Sequence, residues 1–432
     1  MKIIFIMPKW LEKILLLFKV KELRNKILFV LALLIIFRIV ANIPVPGVDV
    51  SKLKDFFAGN QLFGLINIFT GGAMSQFSIA MLGLGPYITA TIILQLLTMI
   101  FPKLKEMYHE SGPEGRNKFN QYGRILTVPL AAMQAYAMIT ILRSQQIIGY
   151  MSPITLFTSI SIITAGALFL MWLGELISEK GIGNGVSLLI FAGIIARIPS
   201  DIRQAIATYT PAQLPSYIGF IVVAILVIAG VVIINEGQRK IPIAYAKRVR
   251  GRRMYGGFST HLPLRVNQAG VIPIIFALSI MLFPGMIAKF LANVPNQFIA
   301  NIAVSVGNVF NNQLFYAVVY FVLVVVFTFF YTAVTFDPKA IAENIQKQGG
   351  FVPGIRPGEN TASFFYHILN RITLAGALFL GIIAVLPMVI SRATGVASLS
   401  IGGTAVLIVV SVVLETMKQV ESQLVMRDYE GF

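Results

Sequence analysis

The sequence predicts an all-α membrane protein with ten transmembrane helices in two inverted five-helix halves. Three observations predict it. The first is composition: 56% of the 432 residues are hydrophobic and 12% are charged, with a mean hydropathy of +0.80, far from soluble norms. The second is charge placement. Twenty-seven of the 35 Lys and Arg residues fall in six stretches separated by long apolar runs. Basic side chains are retained on the cytoplasmic side of a membrane, so this alternation implies an even number of spans with both termini cytoplasmic. The third is parity, because ten spans divide into two fives and a repeat with an odd number of spans must be inverted.

The elements follow in chain order. Residues 1–25 form a basic arm in which Trp10, Leu11, Ile14, Leu15 and Phe18 recur at helical spacing among Lys9, Lys13 and Lys19. That pattern suits a helix lying in the headgroup layer, with a frayed tail as the alternative. The run Ile27–Ala41 lacks a small-residue cleavage site after it and reads as a retained span. A bilayer core about 30 Å thick takes roughly 20 apolar residues per helix. With that ruler, spans fall near 26–43, 77–100, 122–142, 154–177, 184–206, 217–235, 268–290, 313–336, 372–390 and 401–419. The fifth is interrupted at its outer end by Arg197, Asp201 and Arg203. Omitting it would put the most basic connection outside, so the charge rule retains it. Arg38 and Glu175 lie near span ends, where long polar side chains snorkel.

The first half therefore covers 26–206 and the second 207–419, followed by a cytoplasmic tail, 420–432. Between the first two spans, Leu62–Phe69 is apolar but too short to cross, and Gly71-Gly72 breaks it. Such a segment is either re-entrant or an external structural loop. The halves echo one another. GLGPYI (Gly83–Ile88) opens the second span and AGVIPII (Ala269–Ile275) the seventh. IGNGVSLLI (Ile182–Ile190) opens the fifth and IGGTAVLI (Ile401–Ile408) the tenth.

Several chemistries are missing from the sequence. No Asp, Glu, Lys or His lies mid-span, whereas proton relays and ion-coupled carriers need such groups. There is no G-x-x-x-x-G-K-[ST] phosphate loop and no cysteine, and His109, His261 and His367 are far apart in sequence. No enzyme, metal or cofactor is expected. The chain reads as a passage whose energy a partner supplies, and a secondary transporter of a small solute is the alternative. The net charge of +17 suits anionic lipid headgroups and acidic partner surfaces. Two cytoplasmic connections, 236–267 and 337–371, are long enough to be landing sites. The first interleaves Arg248, Arg250, Arg252 and Arg253 with Tyr245, Tyr255 and Phe258. In the second, Pro353, Gly354, Pro357 and Gly358 hold Arg356 on a turn.

At these residues the chain resembles the SecY family of protein-conducting channel subunits. The likeness runs essentially end to end. It includes IPVPGVD (Ile43–Asp49), TGGAMSQFSIAMLGLGPYITATIILQLL (Thr70–Leu97), GELISEKGIGNGVSLLIFAGI (Gly174–Ile194), THLPLRVNQAGVIP (Thr260–Pro273) and GGFVPGIRPG (Gly349–Gly358). The resemblance implies a clamshell of two halves with an hourglass pore in the cytoplasmic membrane. Its ring would be Leu84, Ile88, Val186, Ile190, Ile275 and Ile408. A short re-entrant plug helix would occupy 62–75, with Leu62, Phe63, Leu65, Ile66, Ile68, Phe69, Gly71 and Gly72. The lateral gate would lie between spans two–three and seven–eight, with Thr89, Gln95, Asn267 and Phe283. Arg252, Arg253 and Arg356 would meet the SecA ATPase or the ribosome. The implied partners are SecE and SecG subunits, signal sequences, unfolded precursor chains and membrane lipids.

Overall fold

A computed structural model describes residues 20–46, 53, 67, 70–109, 111–149, 151–207, 210–211, 214–245, 248–250, 253–255, 259–291, 296–394 and 402–430. Residues 1–19 of the basic arm, the apolar positions Leu62, Phe63, Leu65, Ile66, Ile68 and Phe69 expected in a plug, and Arg252 lie outside the described residues. The chain divides into two compact units, one of residues 1–208 with 412–432 and one of residues 209–411.

The first unit contains α1 (Lys21–Ala41), α2 (Gly85–Ile100), α3 (Pro102–His109), α4 (Gly112–Ser144), α5 (Pro153–Lys180) and α6 (Gly185–Ala207). Local signals set the ends. Pro113 and Pro153 occupy first-turn positions, where a missing N–H costs nothing. The hydroxyl of Ser152 accepts from the Thr155 amide, as an N-cap should. Pro102 separates α2 from α3, and the two axes bend by 116°. Helix α2 packs on α4, α4 on α5, and α5 on both α1 and α6.

The second unit contains α7 (Leu214–Glu236), β1 (Gln238–Tyr245), β2 (Arg248–Arg250), β3 (Arg253–Tyr255), β4 (Ser259–Arg265), α8 (Ile272–Leu291), α9 (Gln297–Asn311), α10 (Gln313–Thr335), α11 (Pro338–Lys347), β5 (Gly350–Phe351) and α12 (Glu359–Thr394). The last helix, α13 (Gly402–Glu430), begins in this unit and ends in the first. Asn312 caps α10 by accepting from the Leu314 and Phe315 amides, and Asp337 caps α11 through the Lys339 and Ala340 amides. Helix α10 packs on α8 and α12.

Ten of these helices occupy the ten apolar runs in order. Five of the described helices are long and apolar enough to cross a membrane by themselves, six if the bent pair α2–α3 counts as one. Their surfaces are inverted relative to a soluble protein. Helix α7 buries Val231 yet exposes Ile218, Ile221, Ile225, Leu226 and Ile233, a surface suited to lipid rather than to water.

Three features depart from the sequence expectation. The second span was expected from residue 77, but its helix starts at Gly85 and residues 70–84 run as successive turns. The backbone cannot be helical there, because Phe77 and Gly83 take positive φ, +46° and +57°. The two long basic connections, treated separately in the sequence, share one sheet of order β4-β1-β5. Its apolar side carries Ile241, Ile243 and Leu264, which join Ala342, Ile345, Val352, Phe365 and Ile368 in a closed core. Finally, the two residues expected to snorkel have protein partners. Glu175 accepts from Arg124 Nε at 2.8 Å, and Arg38 donates from Nη1 to the Gly71 carbonyl at 2.8 Å.

Candidate functional site

Six aliphatic positions and four gate positions divide between the two units. In the first, Leu84 is the residue before α2, and the Ile88 amide bonds its carbonyl at 3.0 Å. The two side chains therefore sit one turn apart on one face. Val186 and Ile190 make the same one-turn pair at the start of α6. Leu84 and Ile190 are buried, whereas Ile88 and Val186 are half-buried. In the second unit, Ile275 is half-buried in the first turn of α8, and Ile408 in α13 is fully buried.

One local device sets Ile88 and Ile275. Gly83 precedes Pro86 by three residues, and Gly270 precedes Pro273 by three. Both glycines adopt positive φ, +57° and +62°, a conformation that a β-carbon disfavours. Each helix then starts two residues after its glycine, with the proline in its second position. The proline lacks an N–H that the first turn would leave unsatisfied anyway. The isoleucine two residues further on is thereby fixed in the first turn of both helices. The internal echo seen in the sequence is thus a repeated backbone conformation.

Among the positions expected in a gate, Thr89 is buried in α2 and its hydroxyl donates to the Gly85 carbonyl at 2.9 Å. Gln95 is also buried in α2, and its Oε1 has no hydrogen-bond partner among the described residues. Asn267 is buried just before α8, where it donates to Asn235 Oδ1 at 2.8 Å and to the Gly270 carbonyl at 3.2 Å. Asn235 in turn donates to the Ser411 hydroxyl at 2.8 Å. This relay joins α7, the approach to α8 and α13 within the second unit. Neither Asn235 nor Ser411 stands out in the sequence. Asn235 is one polar residue at the end of an otherwise apolar helix, and that was the only available signal. Asn267 Oδ1 has no partner among the described residues. Phe283 lies in α8, one residue before Pro284.

Of the expected landing residues, Arg253 opens β3 and pairs with Arg250 across the β2–β3 hairpin. Arg356 is exposed on the turn after β5. Its carbonyl accepts from the Thr361 hydroxyl at 2.9 Å, and Gly354 and Gly358 take φ of +83° and +97°. The turn is therefore shaped by backbone conformation and pinned to the start of α12. Of the glycines expected in a plug, Gly71 is buried and Gly72 half-buried, at φ +67° and +86°. Among the described residues there is no cluster of His, Cys, Asp or Glu that could hold a metal ion.

Comparison with known proteins gives one consistent answer. The family model described as SecY matches residues 78–417. The chain is 44% identical over 434 residues to the protein translocase subunit SecY of Mycobacterium bovis, covering 95% of this chain and 97% of that one. It is 45% identical over 428 residues to the Thermotoga maritima subunit of the same name, covering 96% of each. Among solved structures it resembles a protein-conducting channel with TM-score 0.63 at 21% identity, covering 92% of this chain and 91% of that one. It also resembles Sec61 in a canine ribosome–channel complex from the endoplasmic reticulum, with TM-score 0.61 at 21% identity, covering 92% and 91%.

Proposed function

The chain belongs to the SecY family, and from that premise we propose which of its residues carry the work. It is the pore-forming subunit of a protein translocation channel and not an enzyme. It passes unfolded polypeptides across a membrane and releases apolar segments into it. SecE and SecG are its companion subunits, and SecA or the ribosome drives transport.

Leu84, Ile88, Val186, Ile190, Ile275 and Ile408 form the constriction. The observation that carries this reading is the repeated Gly-x-x-Pro start of α2 and α8, which sets Ile88 and Ile275 in equivalent first turns. An aliphatic lining gives an ion nothing to replace its hydration shell, so the resting channel resists ions. The same lining makes no directional bonds and can deform around a passing chain. Residues 62–75 close the constriction as a plug. Thr89, Gln95, Asn267 and Phe283 belong to the lateral gate, and the orphan acceptors of Gln95 and Asn267 support that role. A buried acceptor without a partner costs about 1–3 kcal/mol, a cost that opening to water or to a polypeptide amide relieves. Segments that leave sideways do so on their apolarity. Aliphatics contribute about −0.3 to −0.6 kcal/mol each at the membrane centre and charges about +2.5 to +3.5.

The chain sits in the cytoplasmic membrane with both termini, the β4-β1-β5 sheet and Arg356 on the cytoplasmic side. The alternation of basic connections and apolar runs supports this orientation. Residues 26–206 and 207–419 act as the two halves of the channel. Arg252, Arg253 and Arg356 are the contacts for the motor or the ribosome. The test is reconstitution with SecE and SecA, followed by ATP-dependent import of an unfolded precursor into vesicles. Absence of import, together with counterflow of a labelled small solute, would instead favour a transporter.

A further inference from the structure

We propose that Arg38 is a positioning residue that clasps the root of the plug and so sets how readily the resting channel opens. The proposal rests on the reading of residues 62–75 as a plug. Arg38 lies within the apolar run of α1. An ionisable group in a membrane span is costly, and where one is retained it marks a working contact. Its contact here is the carbonyl of Gly71, reached by Nη1 at 2.8 Å. A guanidinium bond to a carbonyl is charge-assisted and stronger than a neutral one.

Gly71 is held from its other side as well. A β-carbon at this position would lie 2.8 Å from the Gly193 Cα and 2.9 Å from Arg38 Nη1. The plug root is therefore wedged between Arg38 on α1 and the backbone of α6, three residues beyond Ile190. No side chain fits there, and φ of +67° independently favours glycine.

The residues just after Gly71 are braced by local hydrogen bonds. The Asn67 carbonyl accepts from the Gly72 amide at 2.8 Å, and Asn67 Oδ1 accepts from the Ser75 amide at 3.0 Å. Downstream, the Val45 amide bonds the Phe77 carbonyl and the Ile79 amide bonds the Ile43 carbonyl, at 2.8 and 2.9 Å. The exit of α1 is thus stitched to residues 77–79, while Arg38, near the same end of α1, holds residue 71. Between these two attachments lie Gly72, whose added β-carbon would meet nothing within 4 Å, and the fully buried Ala73. Movement of the plug then requires the Arg38 bond to break while the stitch at 77–79 persists.

The chain has no cysteine, so an introduced thiol is the single labelling site on it, read on this subunit's own band. The channel would be purified with its SecE subunit as wild type, Arg38→Met, Arg38→Lys and a deletion of residues 62–69. Resting conductance would be read in planar bilayers. Ala73→Cys would be placed in each full-length background and its maleimide labelling rate measured. Loss of one charge-assisted bond shifts a two-state equilibrium by about tenfold or more. Arg38→Met should raise both conductance and Ala73→Cys labelling by about that factor. Deleting residues 62–69 in that background should add little. Arg38→Lys keeps a charged donor and should remain near wild type in both readouts. A leaking deletion beside a tight, slowly labelled Arg38→Met channel would overturn the clasp, as would an Arg38→Lys channel as leaky as Arg38→Met. A deletion that does not leak would sink the plug reading itself, and with it the sealing role of Arg38.

Discussion

Tyr245 pairs with Gly350 in antiparallel register, and that pairing joins the two basic connections into one sheet. A β-carbon at Gly350 would lie 2.9 Å from Ile345 Cγ2 and 3.0 Å from Tyr245 Cε1. Gly350→Ala must therefore push the helix α11 side of this core apart. Overpacking of this kind costs about 1–3 kcal/mol. The variant should bind SecA several-fold more weakly without any change in a charged residue. Equal SecA affinity, read by titration against reconstituted channel, would disconnect the sheet from docking.

Arg356 is exposed on a turn whose glycines and whose bond to Thr361 fix it. Arg356→Glu reverses the charge offered to an acidic partner surface. SecA-driven import should fall by at least about tenfold, the scale of one lost charge-assisted contact. The folded channel should still elute with SecE. Normal ATP-driven import would remove Arg356 from the contact.

Deleting residues 62–69 removes the apolar part of the proposed plug while leaving Gly71 and Gly72 in place. Resting ion conductance should rise, and precursors with defective signal sequences should begin to pass. An unchanged single-channel record would identify the segment as a passive loop.

Ile408 is 0% exposed, so Ile408→Asn places an amide where hydrogen-bond partners are few. An unsatisfied buried amide costs about 1–3 kcal/mol, and water satisfies it once the constriction opens. The closed state should lose more, shifting the population by about one to two orders of magnitude. Leu407, about 100° round the helix, is equally 0% exposed and is no neutral control. Val413 is 38% exposed and lies about 140° round from Ile408. Leak and signal tolerance should appear in Ile408→Asn and be absent from Val413→Asn. Identical behaviour of the two would take Ile408 out of the ring.

The ten helices and their order were legible in the sequence, because each depends on a local signal. Apolar run length reports the bilayer, and Gly-x-x-Pro writes a turn into four residues. What stayed hidden depends on pairing between distant segments. Nothing local distinguishes Gly350-Phe351 as a strand, since two residues carry no periodicity, and it becomes one only against Ala244 and Tyr245. Asn235 was one polar residue at a helix end until the fold brought Asn267 and Ser411 to it. Composition pointed Arg38 toward the headgroups, because a lone charge in an apolar run has nowhere else to go. The tertiary structure supplied the Gly71 carbonyl instead. A buried charge takes whichever partner the packing brings within about 3 Å, and no sequence spacing encodes that.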